Sequence, residues 1–144
     1  MSIVMHKEYQ VENTRDSQRI LQILEDKIYE YNSSKTNSSG GNIFSRIVRN
    51  DDGEVIAGVA GWTWAGACEI TLLWVQENLR KKGLGKLLLD AAEDEARNNN
   101  CSVVLVRSYS FQAPKFYQRH GFAIEHITDN FPEGFQYYFL LKRI

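Results

Sequence analysis

Apolar residues recur along the chain at two different spacings. Val103-Val104-Leu105-Val106 is an unbroken apolar run between Ser102 and Arg107, and it predicts a buried strand over 102–107. Ile70-Thr71-Leu72-Leu73-Trp74-Val75 predicts a second buried strand, which begins at Ala67. Between them, Leu84, Leu87, Leu88, Ala91, Ala92 and Ala96 recur at helical spacing, leaving Asp90, Glu93 and Asp94 for the wet side. Strand, helix and strand in that order imply a parallel pair joined by a helical crossover.

The flanking segments extend the pattern. Residues 2–11 can make a first strand. Asn13, Thr14 and Asp16 offer helix caps, and Ile20, Leu21, Leu24, Ile28 and Tyr31 predict a helix over 15–31. Residues 32–42 are polar, small and glycine-rich, which predicts a mobile loop. Strands follow over 43–49 and 54–64, joined by the turn Asn50-Asp51-Asp52-Gly53. A turn at Ala65-Gly66 leads into the strand ending at Val75, completing a meander. After the 102–107 strand, a short helix over 112–120 ends at Gly121. Closing strands over 122–127 and 135–142 flank a loop with Pro132 and Gly134. The expected architecture is one α/β domain, residues 1–144, with a mixed sheet flanked by helices.

Composition narrows the setting. A chain of 144 residues, 43% hydrophobic and 24% charged, suits a single globular domain. A net charge of -1 argues against nucleic acid as a partner. The lack of a membrane-length apolar run and of a signal-peptide core points to no membrane and to the cytoplasm. Cys68 and Cys101 have no metal-ligand spacing, so no metal is expected. They read as packing residues at strand ends, with a disulfide between them as the alternative.

Positive charge is concentrated where the 67–75 strand gives way to the helix, in Arg80-Lys81-Lys82-Gly83-Leu84-Gly85-Lys86. A helix start carries unpaired N–H groups and the positive end of the dipole, and glycines let an anion approach them. The stretch therefore reads as a pyrophosphate cradle. The plainer alternative is a glycine-shaped turn with solvated lysines. Gly85-Lys86-Leu87 lacks the hydroxyl of a P-loop, and Leu88 stands where a Rossmann fingerprint has its third glycine.

Strand, Arg80-x-x-Gly83-x-Gly85, helix, strand, and then Ala113-x-x-Phe116-Tyr117-x-x-x-Gly121-Phe122 resemble the GNAT family of N-acetyltransferases. The runs 110–114 and 132–139 look like a branch of small bacterial members. The resemblance implies a mostly antiparallel sheet with a splayed parallel central pair. It also implies acetyl-CoA as co-substrate, a primary amine as acceptor and a homodimer as the assembly. Arg80, Lys81, Lys82, Gly83, Leu84, Gly85 and Lys86 take the pyrophosphate. Leu73, Trp74 and Val75 hold the pantetheine arm on one side and Gln112, Ala113 and Phe116 on the other. The family pattern has an asparagine near the start of the last helix, where this chain has Ser108, Ser110 and Gln112.

Acetyl transfer needs a deprotonated amine, a polarised carbonyl and a leaving thiolate. Glu69 is the candidate base, for which its pKa would have to rise by burial among Trp62, Trp64 and Trp74; the alternative is that it lies on the solvent side of its strand. A backbone N–H near Leu73 or Trp74 would face the oxyanion. Tyr117 would protonate the thiolate; its plain alternative is helix packing. The expected acceptor is a small-molecule amine, with a peptide amine as the runner-up. A non-catalytic acyl-CoA-binding module is the rival from another class.

Overall fold

In the computed structural model of the protein, residues 4–6 and 9–144 are described. Two compact units separate by their contacts, Met1–Ser38 and Ser39–Ile144.

In the first unit, β1 (Val4–His6) and β2 (Tyr9–Val11) pair antiparallel. The single strand expected over 2–11 is thus two short ones; residues 2, 3, 7 and 8 lie outside the described part. Helix α1 spans Ser17–Thr36, and its N-cap Asp16 accepts a hydrogen bond from the Arg19 N–H at 3.1 Å. The helix overruns its expected end and takes in residues 32–36, where a loop was expected. The small polar residues there bond back onto the helix itself. Ser34 Oγ donates to the Tyr31 carbonyl and Thr36 Oγ1 to the Asn32 carbonyl, both at 2.7 Å. Asn37, in the left-handed conformation at φ 57°, ends the helix.

The second unit is built on a six-stranded sheet with the order β3-β4-β5-β6-β8-β7. Its strands are β3 (Asn42–Arg49), β4 (Val55–Trp64), β5 (Ala67–Val75), β6 (Val103–Tyr109), β7 (Ala123–Asp129) and β8 (Gln136–Arg143). Every neighbouring pair is antiparallel except β5 and β6. A turn of 3₁₀ helix at Glu77–Leu79, α2 (Leu84–Asn98) and the short α3 (Pro114–Arg119) complete it. The expected mixed, mostly antiparallel α/β architecture is the observed one.

The core lies between the sheet and α2. Leu88, Leu89, Ala92 and Ala96 of α2 are buried against Ala57, Val59, Cys68, Ile70 and Val104. One expectation fails here. Glu93, assigned to the wet side, is buried at 5% exposure, whereas Leu87 is 59% exposed. The Glu93 carboxylate accepts from Lys142 Nζ at 2.6 Å and from Arg97 Nη2 at 3.2 Å, so its charge is compensated inside.

Two features shape β5. Between Ala60/Gly61 and Leu72/Ile70 the β4–β5 register slips by one, leaving Thr71 as the extra residue of a bulge. Gly61 is required there, because an added Cβ would lie 2.1 Å from the Glu69 carbonyl oxygen. The second feature is the parallel pairing with β6. It covers only Ala67–Ile70 against Val103–Val106, although β5 continues to Val75 and β6 to Tyr109. Past Ile70 and Val106 the two strands part, and the sheet forks.

Candidate active site

The fork opens into a cleft of about 750 Å³. One wall is β5 from Ile70 to Val75. Past the last β6 pair, the backbone N–H and C=O groups along that edge have no neighbouring strand, so they can bond a bound extended molecule. Leu73, Trp74 and Val75, expected on this wall, all line the cleft. The other wall is Val106, Arg107 and Ser108 of β6, the turn after it, and α3.

The start of α2 closes one end. Gly83, its N-cap, is left-handed at φ 87°, and space around its Cα is open. The first helical bond on this turn runs from the Leu87 N–H to the Gly83 carbonyl at 3.0 Å. The N–H groups of Leu84, Gly85 and Lys86 therefore have no partner inside the helix. Gly85 has a different reason to be glycine. An added Cβ would lie 3.3 Å from Phe116 Cζ, so the missing side chain lets α3 pack against the helix start.

The cations divide by role. Arg80, Lys81 and Lys86 line the cleft; Lys82 does not. Arg80 Nε donates to the Val75 carbonyl at 3.0 Å and fixes the strand end to the loop. Lys86 pairs with Asp90 at 2.7 Å, both side chains about half exposed. Such a surface pair is worth only a few tenths of a kcal/mol, so Lys86 can turn to an incoming anion at little cost.

Gln112, Ala113, Phe116 and Tyr117 line the α3 side of the cleft. The asparagine-less turn is held by other groups. Buried Ser108 accepts from the Ala113 N–H at 3.2 Å, and Gln112 Oε1 accepts from the Tyr109 N–H at 2.8 Å. Tyr117 is 5% exposed, and burial pushes its phenol up to about 12. It stays protonated at any physiological pH and so keeps a proton to donate. Its ring packs edge-on against Phe116 and Phe122, fixing its direction.

Glu69 lies apart from this cleft, on the sheet face turned away from α2. Of the tryptophans expected around it, Trp74 is displaced. Trp62 stands opposite in the β4 register, but Trp74 pairs with Gly58 farther along the strand. The Glu69 carboxylate instead accepts a short hydrogen bond from Arg107 Nη2. The same bond is the first cause that holds the Arg107 guanidinium above its ordinary pKa. Arg107 follows the last paired residue of β6, so the ion pair sits at the crotch of the fork. Arg107 and Arg119 are cleft residues that the sequence reading passed over. Arg107 had one visible signal, a charge directly after an unbroken apolar strand.

A forked parallel pair beside an open helix start is a geometry for a long molecule with an anionic end and an extended, amide-like arm. Residues 5–122 match the acetyltransferase (GNAT) family model, a span that crosses both units. The chain belongs to the GNAT acetyltransferase family. It is 32% identical over 106 residues to the blasticidin-S acetyltransferase of Streptomyces morookaense, covering 71% of this chain and 76% of that one. An acetyltransferase crystal structure from Bacillus cereus superposes with a TM-score of 0.81 at 30% identity, covering 97% of this chain and all of the other. A Bacillus anthracis acetyltransferase solved in complex with acetyl coenzyme A shares the fold at 20% identity, with a TM-score of 0.62 over 72% of this chain and 63% of that one.

Proposed function

We propose that the protein moves an acetyl group from acetyl-CoA to a primary amine of a small molecule. The fork between β5 and β6, with the open start of α2 at its end, carries this reading. The presence of acetyl-CoA in the Bacillus anthracis neighbour and the name of the Streptomyces relative support the co-substrate and a small acceptor.

In this reading the pyrophosphate lies on the N–H groups of Leu84, Gly85 and Lys86, with Arg80, Lys81 and Lys86 beside it. The pantetheine arm runs through the fork between Leu73–Val75 and the Gln112–Phe116 side. Its thioester reaches the crotch, where an N–H of the Leu73–Trp74 stretch meets the carbonyl oxygen as negative charge develops there.

The acceptor ammonium gives one proton to Glu69, directly or through water, and its nitrogen attacks the carbonyl carbon. As the C–S bond breaks, the sulfur keeps the electron pair. The second proton, from the attacking nitrogen, ends on the thiol. Tyr117 helps this step as a donor. A thiol of ordinary pKa, about 8.5, is a stronger acid than a phenol at about 12. Complete transfer from Tyr117 would run uphill by 3 to 4 pK units, roughly 5 kcal/mol. A hydrogen bond to the developing thiolate is the role that fits.

The test is thiol release from acetyl-CoA with a panel of small amines and peptides, with the acetylated product identified by mass. Release coupled to a small acetylated amine is expected. Release only with peptides would move the acceptor to a protein amine. Coenzyme binding without release from any amine would make the protein a binding module.

A further inference from the structure

The 39–144 unit holds a second cavity, of about 550 Å³, on the sheet face opposite α2. Strand register lays out its floor. Glu69, Leu105 and Leu141 stand side by side across β5, β6 and β8. Arg107, Phe139 and His126 form the next row across β6, β8 and β7. Val106 and Arg107 line both this cavity and the cofactor cleft, so the two meet at the fork.

Apart from His126, the floor is apolar except for one matched pair of charges. The Glu69 side chain is 14% exposed and that of Arg107 48%. The Arg107 guanidinium also lies 5.9 Å from the Phe139 ring centroid, within cation–π range. At the rim Glu125 and Arg143 are again of opposite sign, and His126 completes the set of titratable groups. A bare ammonium that took Glu69 would part Arg107, half exposed, from its partner and leave it to water alone. A bare carboxylate on Arg107 would strand Glu69. A ligand carrying both charges on neighbouring carbons exchanges with the pair one for one, and every charge keeps a partner.

We propose that the acceptor is an α-amino acid or a close zwitterionic relative, and that Arg107 selects it by binding its carboxylate while Glu69 receives its ammonium. The proposal rests on the acetyl-transfer reading and deepens it. The geometry suits the reaction, because Glu69 lies just before the end of the β5–β6 pairing and Arg107 just after it. An ammonium on Glu69 is thereby brought to the side of the fork opposite the helices. A peptide N-terminus is disfavoured, since its nearest carboxylate is spent in an amide.

The experiment follows thiol release from acetyl-CoA with the standard L-amino acids and, for each, its amide. Wild type, Arg107→Gln and Arg107→Lys are compared, with thermal unfolding of each as the check on folding. A charge-assisted hydrogen bond predicts that at least one amino acid beats its amide by about tenfold or more in kcat/KM. Arg107→Gln should erase that preference through KM, with a smaller effect on the amides than on the amino acids, and Arg107→Lys should restore part of it. The same amino acid should raise the melting temperature in the presence of coenzyme A, and its amide should not. Turnover of amides and simple amines with no preference for amino acids overturns the carboxylate role and leaves acetyl transfer standing. An amino-acid-dependent melting shift without turnover upholds the zwitterion site and overturns acetyl transfer. Neither shift nor turnover overturns both.

Discussion

Phe116 of α3 packs onto the backbone of Gly85 in the first turn of α2, with room of only 3.3 Å for any added Cβ. The contact ties the start of α2 to the helix that carries Tyr117. The two glycines of the loop therefore answer to different demands, and their variants should separate. Gly85→Ala gains roughly 1 kcal/mol of helix propensity but presses on Phe116, so its net effect on stability should be small. Gly83 needs its positive φ; Gly83→Asn, which tolerates that conformation, should fold and still be stabilised by coenzyme A. Gly83→Glu should fold less stably and lose the coenzyme-induced rise in melting temperature, because its carboxylate sits at the phosphates. Differential scanning fluorimetry with and without coenzyme A reads all three; an undiminished rise in Gly83→Glu would refute the phosphate site.

Tyr117→Phe removes the donor while keeping the ring that packs on Phe116 and Phe122. Coenzyme A affinity and unfolding temperature should hold, while kcat falls on the order of 10²-fold, the usual loss for one donor to developing charge. Steady-state kinetics on an accepted amine, beside calorimetric coenzyme binding, decides it. Undiminished kcat would return Tyr117 to the core.

The order of elements was legible because β5, α2 and β6 each carry a clean apolar period. Where the reading failed, a partner distant in sequence had decided the outcome. Glu93 was placed outside by helical spacing, but Lys142 reaches it from β8 and makes burial tolerable. Arg107 and Glu69 are 38 positions apart, and their meeting depends on the β5–β6 register, which no single strand encodes. Residues 32–36 look like a loop by composition, because a hydroxyl that bonds backward along a helix and one that breaks a helix are the same residue type. The proposed phosphate end rests on a local signal: glycines and cations at one strand-to-helix junction.

Glu93 provides a stability test. Glu93→Ala removes the acceptor of two cationic side chains, Lys142 and Arg97, which are 24% and 53% exposed and can recover water. The expected loss is about 1.5–3 kcal/mol, the range for hydrogen bonds to charged groups. Urea denaturation should show a lower midpoint with an unchanged slope. A midpoint equal to wild type would mean that burying the pair costs as much as it stabilises.

Alkaline pH should weaken the fold in a defined window. Burial is the main reason the Cys68 thiol is raised to about 12, with Cys101 next, against an unfolded value of 9.0. Between these values the unfolded chain has lost the proton that the folded chain still holds. Stability is thus fully present below pH 9 and falls as pH rises toward 12, by up to roughly 4 kcal/mol from this group. Tyr117, raised by burial from 10.0 to about 12, adds a smaller loss above pH 10 in the same direction. Urea midpoints from pH 8 to 11 should decline, and the decline should be shallower in Cys68→Ala. Equal slopes in the two proteins would show that the thiol does not titrate in this way.

The most direct measurement is a crystal structure of the protein with acetyl-CoA. The pyrophosphate should lie on the N–H groups of Leu84, Gly85 and Lys86. The pantetheine arm should bond the β5 edge past Ile70, and the thioester sulfur should sit within hydrogen-bonding distance of the Tyr117 hydroxyl. A coenzyme bound outside the β5–β6 fork, or with its sulfur turned away from Tyr117, would contradict the account.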